Sequence, residues 1–151
     1  MNVRTQLIFF NSDLAQYNYL ISNAEIRDKV ADFLLQYVSA EGFYKKLLKA
    51  DKEKSGKKLT AQDKKELKVS VPVMKKVLTS FGVQYDENLL ERLFSNEDKN
   101  YMECSAKKLR DRLVHNVNQN VVRTIIERYD SIRKDIDEFF EMFSNKKEHR
   151  V

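Results

Sequence analysis

The sequence predicts an all-α protein, a single-domain helical bundle of about four to six helices. Three observations lead there. Only three Gly and one Pro occur in 151 residues, too few for the tight turns that a sheet of hairpins needs. Apolar residues recur at spacings of three and four, the period of a helix with one buried face. Hydrophobic residues make up 42% and charged residues 34% of the chain, a balance that favours a packed core under a solvated surface over disorder. A chain of this length buries roughly 70% of the surface its unfolded form exposes, so one core across residues 1–151 is expected.

The elements follow in order. Val3 to Phe10 fits either a strand or a helix. A short helix comes next, capped by Ser12 or Asp13, with Leu14, Tyr17 and Ile21 on one face. Ser22-Asn23-Ala24-Glu25 has the Ser-x-x-Glu form of a capping box. Behind it Ile26, Val30, Phe33 and Tyr37 stand at spacings of four, three and four. A long helix is therefore predicted to run on through Tyr44, Leu47 and Leu48, with Gly42 as a point of breakage or kinking. Between Lys45 and Lys68 there are ten Lys and four acids, a net +6 in a chain whose total is +5. The centre of this stretch, near 49–60, is a basic connector. It is either a solvated linker or a patch that steers phosphates, with Lys54, Lys57 and Lys58 as candidate RNA contacts.

Thr60-Ala61-Gln62-Asp63 resembles another cap, and Pro72 should end or restart a helix near Ser70. Val73, Val77 and Leu78 mark the next helix, closed by Gly82. Asp86 caps a short helix carrying Leu89, Leu90, Leu93 and Phe94, and the polar stretch from Ser95 to Asn100 is a loop. Val122, Ile125, Tyr129, Ile132, Ile136, Phe139 and Phe143 then alternate spacings of three and four, which predicts one amphipathic terminal helix. Asp135, Asp137, Glu138 and Glu141 fall on its expected solvent face, and a frayed tail is expected near 145–151.

Several function classes are set aside on composition. The apolar runs are too short for a membrane span or a secretory leader, so a cytoplasmic protein without membrane attachment is expected. Cys104 is the only cysteine; it can form neither an internal disulfide nor a thiolate zinc site, and a buried or half-buried small side chain is its expected role. No metal site and no cofactor are expected. A pI near 9.2 and a mean hydropathy of −0.61 permit a nucleic-acid partner without demanding one. His149, in the tail, receives no role.

The chemistry-bearing stretch is Leu109-Arg110-Asp111-Arg112-Leu113-Val114-His115. Leu109, Leu113 and Val117 share one helical face with Val114 alongside, so the apolar side can anchor the segment. An imidazole with an ordinary pKa near 6.5 suits proton transfer at neutral pH. A guanidinium stays charged and offers a planar fork to a phosphate. On one continuous helix Arg110 and His115 point about 140° apart, a geometry better suited to a cleft shared by two subunits. Asn116-Val117-Asn118-Gln119-Asn120 then predicts a helix junction with Asn118 as the cap.

Arg110-Asp111-Arg112-Leu113-Val114-His115 resembles the motif of the HEPN superfamily, whose ribonuclease members carry Arg, a polar residue, three further residues and His. The resemblance covers this motif and the helix after it. It implies a helical bundle that dimerises so that two motifs face one cleft, and metal-independent cleavage of RNA through attack of a 2′-hydroxyl. Arg110 and His115 would be catalytic, with Asp111, Arg112 and Asn116 supporting them. Many members are toxins or antiviral effectors, which implies an antitoxin or regulatory protein as a further partner. Members paired with nucleotidyltransferase antitoxins often carry Tyr two residues after the His, where this chain has Val117. The alternative is a catalytically silent HEPN-like module that binds RNA, a nucleotide or a protein, and a helical scaffold is a third possibility.

Overall fold

The computed structural model describes residues 11–54, 56, 60, 61 and 68–148, with the backbone alone at 12 and 145–148. Val3 to Phe10, Lys57, Lys58, the Gln62-Asp63 half of the second cap and His149 lie outside the described residues. All regular structure among the described residues is helical. Seven helices are found there: α1 (Asn11–Ser22), α2 (Ala24–Glu53), α3 (Val71–Ser80), α4 (Glu87–Phe94), α5 (Ala106–His115), α6 (Gln119–Glu127) and α7 (Tyr129–Glu148). The number exceeds four to six because the terminal apolar stripe is divided in two at Arg128.

The long helix is the axis of the bundle. α2 packs against α7, α6, α1, α3 and α5, burying Phe33, Tyr37, Ala40, Tyr44 and Leu48 along one face. Gly42 does not interrupt it, because packing of that face outweighs the roughly 1 kcal/mol a mid-helix glycine costs. The helix is capped by Asn23, whose side chain accepts from the Ile26 amide at 3.1 Å. Ser22, the expected cap, belongs to α1 and donates back to the Asn18 carbonyl at 2.6 Å. α2 also continues to Glu53, so residues 49–53 of the expected connector are its last turn. Of the expected tail near 145–151, residues 145–148 continue the last helix.

Local signals hold for the middle of the chain. Ser70 caps α3 with Pro72 in the first turn, and Gly82 follows α3 at φ 69°, a left-handed conformation that only glycine adopts without strain. Asp86 caps α4 through the Asn88 and Leu89 amides. Phe94 of α4 lies 6.0 Å from the Tyr37 ring and 5.3 Å from the Phe139 ring of α7, which ties three helices into one aromatic core.

α7 departs from expectation at Asp135. This residue is buried, and it accepts from Nε and Nη2 of Arg92 on α4, both at 3.1 Å; the other acids of the stretch do not share its position in the core. The break before α7 falls at Arg128, the C-cap of α6. The Arg128 amide closes on the Thr124 carbonyl at 2.9 Å, and its guanidinium donates to the Tyr101 carbonyl at 2.9 Å. Among the described residues, no helix is long and apolar enough to cross a membrane.

Candidate functional site

α5 carries the motif, and the sequence starts and stops it within ten residues. Ser105 caps it by accepting from the Lys108 amide at 3.1 Å, and its own hydroxyl donates to the Ser95 carbonyl at 2.6 Å. Leu109 and Leu113 are buried and hold the helix on the core. Val114 and Val117 are exposed, because α5 ends at His115 and the chain turns before Val117 can join the buried face. Asn116 closes the helix through its amide to the Arg112 carbonyl at 3.0 Å. Asn118 caps α6 as expected, accepting from the Val121 amide at 3.0 Å.

Arg110, Asp111, Arg112, His115 and Asn116 all line one open cleft of about 680 Å³, together with Asp98, Tyr101, Lys108, Val114 and Asn118. Each of the five motif positions named from sequence therefore borders the same space. Lys54 does not. Its ammonium lies 3.3 Å from the Ser80 hydroxyl and 3.7 Å from the Phe81 ring centre, joining the end of α2 to the end of α3. Ser80 in turn donates to Asp51 at 2.6 Å.

The side chains of the cleft are held in distinct ways. Arg110 is half-buried, with Nη2 3.2 Å from Glu41 and Nε 2.9 Å from Asp111. Its guanidinium also lies 5.1 Å from the Tyr37 ring centre, within cation–π range. The Asp111 contact is an ion pair out of line for a hydrogen bond. Arg112 donates to the Lys99 carbonyl at 2.6 Å and to Cys104 Sγ at 3.5 Å, and lies 4.8 Å from the Tyr101 ring centre. No carboxylate among the described residues is within ion-pair distance of Arg112, so its charge is the least compensated of the cleft's three cations. Lys108 pairs with exposed Asp98 at 3.5 Å, a contact worth little in water. His115 is exposed at the end of α5.

Glu41 and Tyr37 are the site residues that sequence reasoning missed. Glu41 is 8% exposed and shared by Arg110 and by Lys45, the latter at 3.2 Å. Burial, followed by the Glu41 carboxylate, pushes the Tyr37 hydroxyl well above the ordinary tyrosine range. That hydroxyl makes no well-formed hydrogen bond, so it feels Glu41 through charge proximity. The sequence did carry a signal: Glu41 stands on the apolar stripe of Phe33, Tyr37, Tyr44 and Leu48, where an acid needs a buried cation as partner. Cys104 is buried, as expected, and its thiol touches Arg112 and, at 3.9 Å, Arg128. Among the described residues, no group of three or more His, Cys, Asp or Glu side chains could hold a metal ion.

No protein-family model, no curated protein and no solved structure matches the chain.

Proposed function

We propose that the chain is a metal-independent endoribonuclease of HEPN type, acting as a homodimer with Arg110 and His115 as its catalytic residues. The observation that carries this proposal is the single cleft bordered by Arg110, Asp111, Arg112, His115 and Asn116. In this mechanism His115 takes the proton of a ribose 2′-hydroxyl, whose oxygen attacks the adjacent phosphorus. The 5′-oxygen leaves with a proton, giving a 2′,3′-cyclic phosphate and a 5′-hydroxyl. Arg110, fixed by Glu41 and Asp111, and Arg112, with no carboxylate among the described residues in ion-pair reach, offer cationic donors to the phosphate oxygens as charge builds. A second copy of the motif, brought by the partner subunit, would supply the acid for the leaving group. A cytoplasmic setting and a neutralising protein partner belong to the same proposal.

One observation favours the alternative of a silent RNA-binding module. Arg110 already shares its charge with two carboxylates, which weakens its pull on a phosphate. The two part company when parent, Arg110→Ala and His115→Ala proteins are incubated with single-stranded and structured RNA in EDTA. Cleavage by the parent, reduced about 10²- to 10⁴-fold in each variant, is expected, with DNA of the same sequence left intact. RNA retarded on a gel but uncut by the parent selects the binding module. Undiminished cleavage by both variants refutes the assignment of these residues.

A further inference from the structure

His115 and Asn116 border a second cavity as well as the main cleft. It measures about 340 Å³, and its other walls are Tyr17, Leu20 and Ile21 of α1 with Val117 of the α5–α6 junction. Both spaces fall within, or close to the lower bound of, the range typical of small-ligand sites. Their chemistry differs. The main cleft is lined by Lys108, Arg110 and Arg112 against Asp98 and Asp111, a cationic excess that suits an anion. The smaller cavity is lined by the Tyr17 ring with its hydroxyl, by three aliphatic side chains, and by the imidazole and the Asn116 amide, with no charged side chain other than the imidazole when protonated. Tyr17 is 40% exposed and Ile21 65% exposed, so apolar surface is left open to solvent beside the charged cleft.

The geometry points to a nucleobase subsite: the Tyr17 cavity takes one unpaired base of an RNA strand whose neighbouring phosphate lies in the Arg110–Arg112 cleft. A base has two apolar faces and a polar edge. It can stack on the Tyr17 ring while its edge meets Asn116, whose side-chain amide carries both donors and an acceptor. A phosphate and a base one sugar apart would then lie on opposite sides of the wall that His115 forms, with the imidazole beside the intervening ribose. An unpaired base is required because a base within a duplex presents no free face. The substrate class is accordingly single-stranded or looped RNA. This inference rests on the ribonuclease proposal for its catalytic meaning, but base stacking itself does not depend on cleavage.

The test uses the full-length protein and a short single-stranded oligonucleotide in which every 2′-hydroxyl is replaced by fluorine, so that it cannot be cut, and one base is 2-aminopurine. Stacking on Tyr17 is expected to quench the fluorescence at one position of the probe. Tyr17→Leu should abolish that quench and weaken binding roughly 5- to 150-fold, the range of one base–aromatic stack, while Tyr17→Phe retains both. Tyr17 is outside the core, so both variants should keep the parent's helical content and thermal transition. Quench and affinity unchanged in Tyr17→Leu overturn the subsite. So does a Tyr17→Leu protein that loses self-association by light scattering while still quenching, since Tyr17 would then face a second copy. Tyr17-dependent quenching by a protein that cuts no RNA upholds the subsite and removes the ribonuclease proposal. Cleavage that needs His115 but is indifferent to Tyr17 does the reverse.

Discussion

Arg110 performs two tasks at once, and at the scale of single residues they have to be measured together. Its guanidinium neutralises Glu41 on the core stripe of α2 while bordering the cleft. Removing it leaves a mostly buried carboxylate with the partly exposed Lys45 as its remaining ion-pair partner among the described residues. Arg110→Ala is therefore expected to destabilise the fold by about 1–3 kcal/mol, and Arg110→Ala combined with Glu41→Gln should recover part of that. Urea denaturation of the single and double variants checks both; equal stability of parent and Arg110→Ala contradicts the account. Arg110 and His115 can be singled out from sequence alone because a guanidinium and an imidazole suit phosphate chemistry. Glu41 cannot, since its meaning comes from a partner 69 positions along the sequence that only packing of α5 on α2 brings near.

Helix boundaries separate what local signals determine from what distant contacts determine. The caps at Asp86 and Asn118 are read directly from sequence because donor and acceptor lie two or three residues apart. The break at Arg128 leaves no such trace. The spacing of Ile125, Tyr129 and Ile132 passes through it undisturbed, and the Arg128 side chain is held by the Tyr101 carbonyl, 27 residues away. Asp135 was misplaced for the same reason, its partner Arg92 being 43 residues distant. α2 offers a direct test of packing against propensity. A Cβ added at Gly42 meets nothing within 4 Å, so Gly42→Ala is expected to raise stability by about 0.5–1 kcal/mol. A lower midpoint in denaturant would show that the helix needs its glycine.

For the molecule as a whole, the aromatic core fixes the response to alkali. Burial, and then Asp51, push the Tyr44 hydroxyl up to about 12, and Tyr37 is displaced in the same direction. Both stay neutral in the folded state while an unfolded chain releases their protons near 10. Their contribution to stability is thus complete below pH 10 and is lost as pH rises from there to about 12 for Tyr44. Each tyrosine supplies a slope of up to about 1.4 kcal/mol per pH unit. Denaturation midpoints should fall between pH 10 and 11, with the part of the tyrosinate absorbance that belongs to Tyr37 and Tyr44 appearing only as the chain opens; a flat profile through pH 11 opposes this. The stretch between α4 and α5 bears on a different kind of resilience. Lys99 offers trypsin a cut in an irregular stretch, yet the carbonyl that the protease must engage accepts the Arg112 guanidinium at 2.6 Å, while Ser105 and Arg128 secure the backbone at Ser95 and Tyr101. Native digestion should spare the Lys99–Asn100 bond, and Arg112→Ala should expose it, so that the same arginine which borders the cleft also decides whether the loop survives intact.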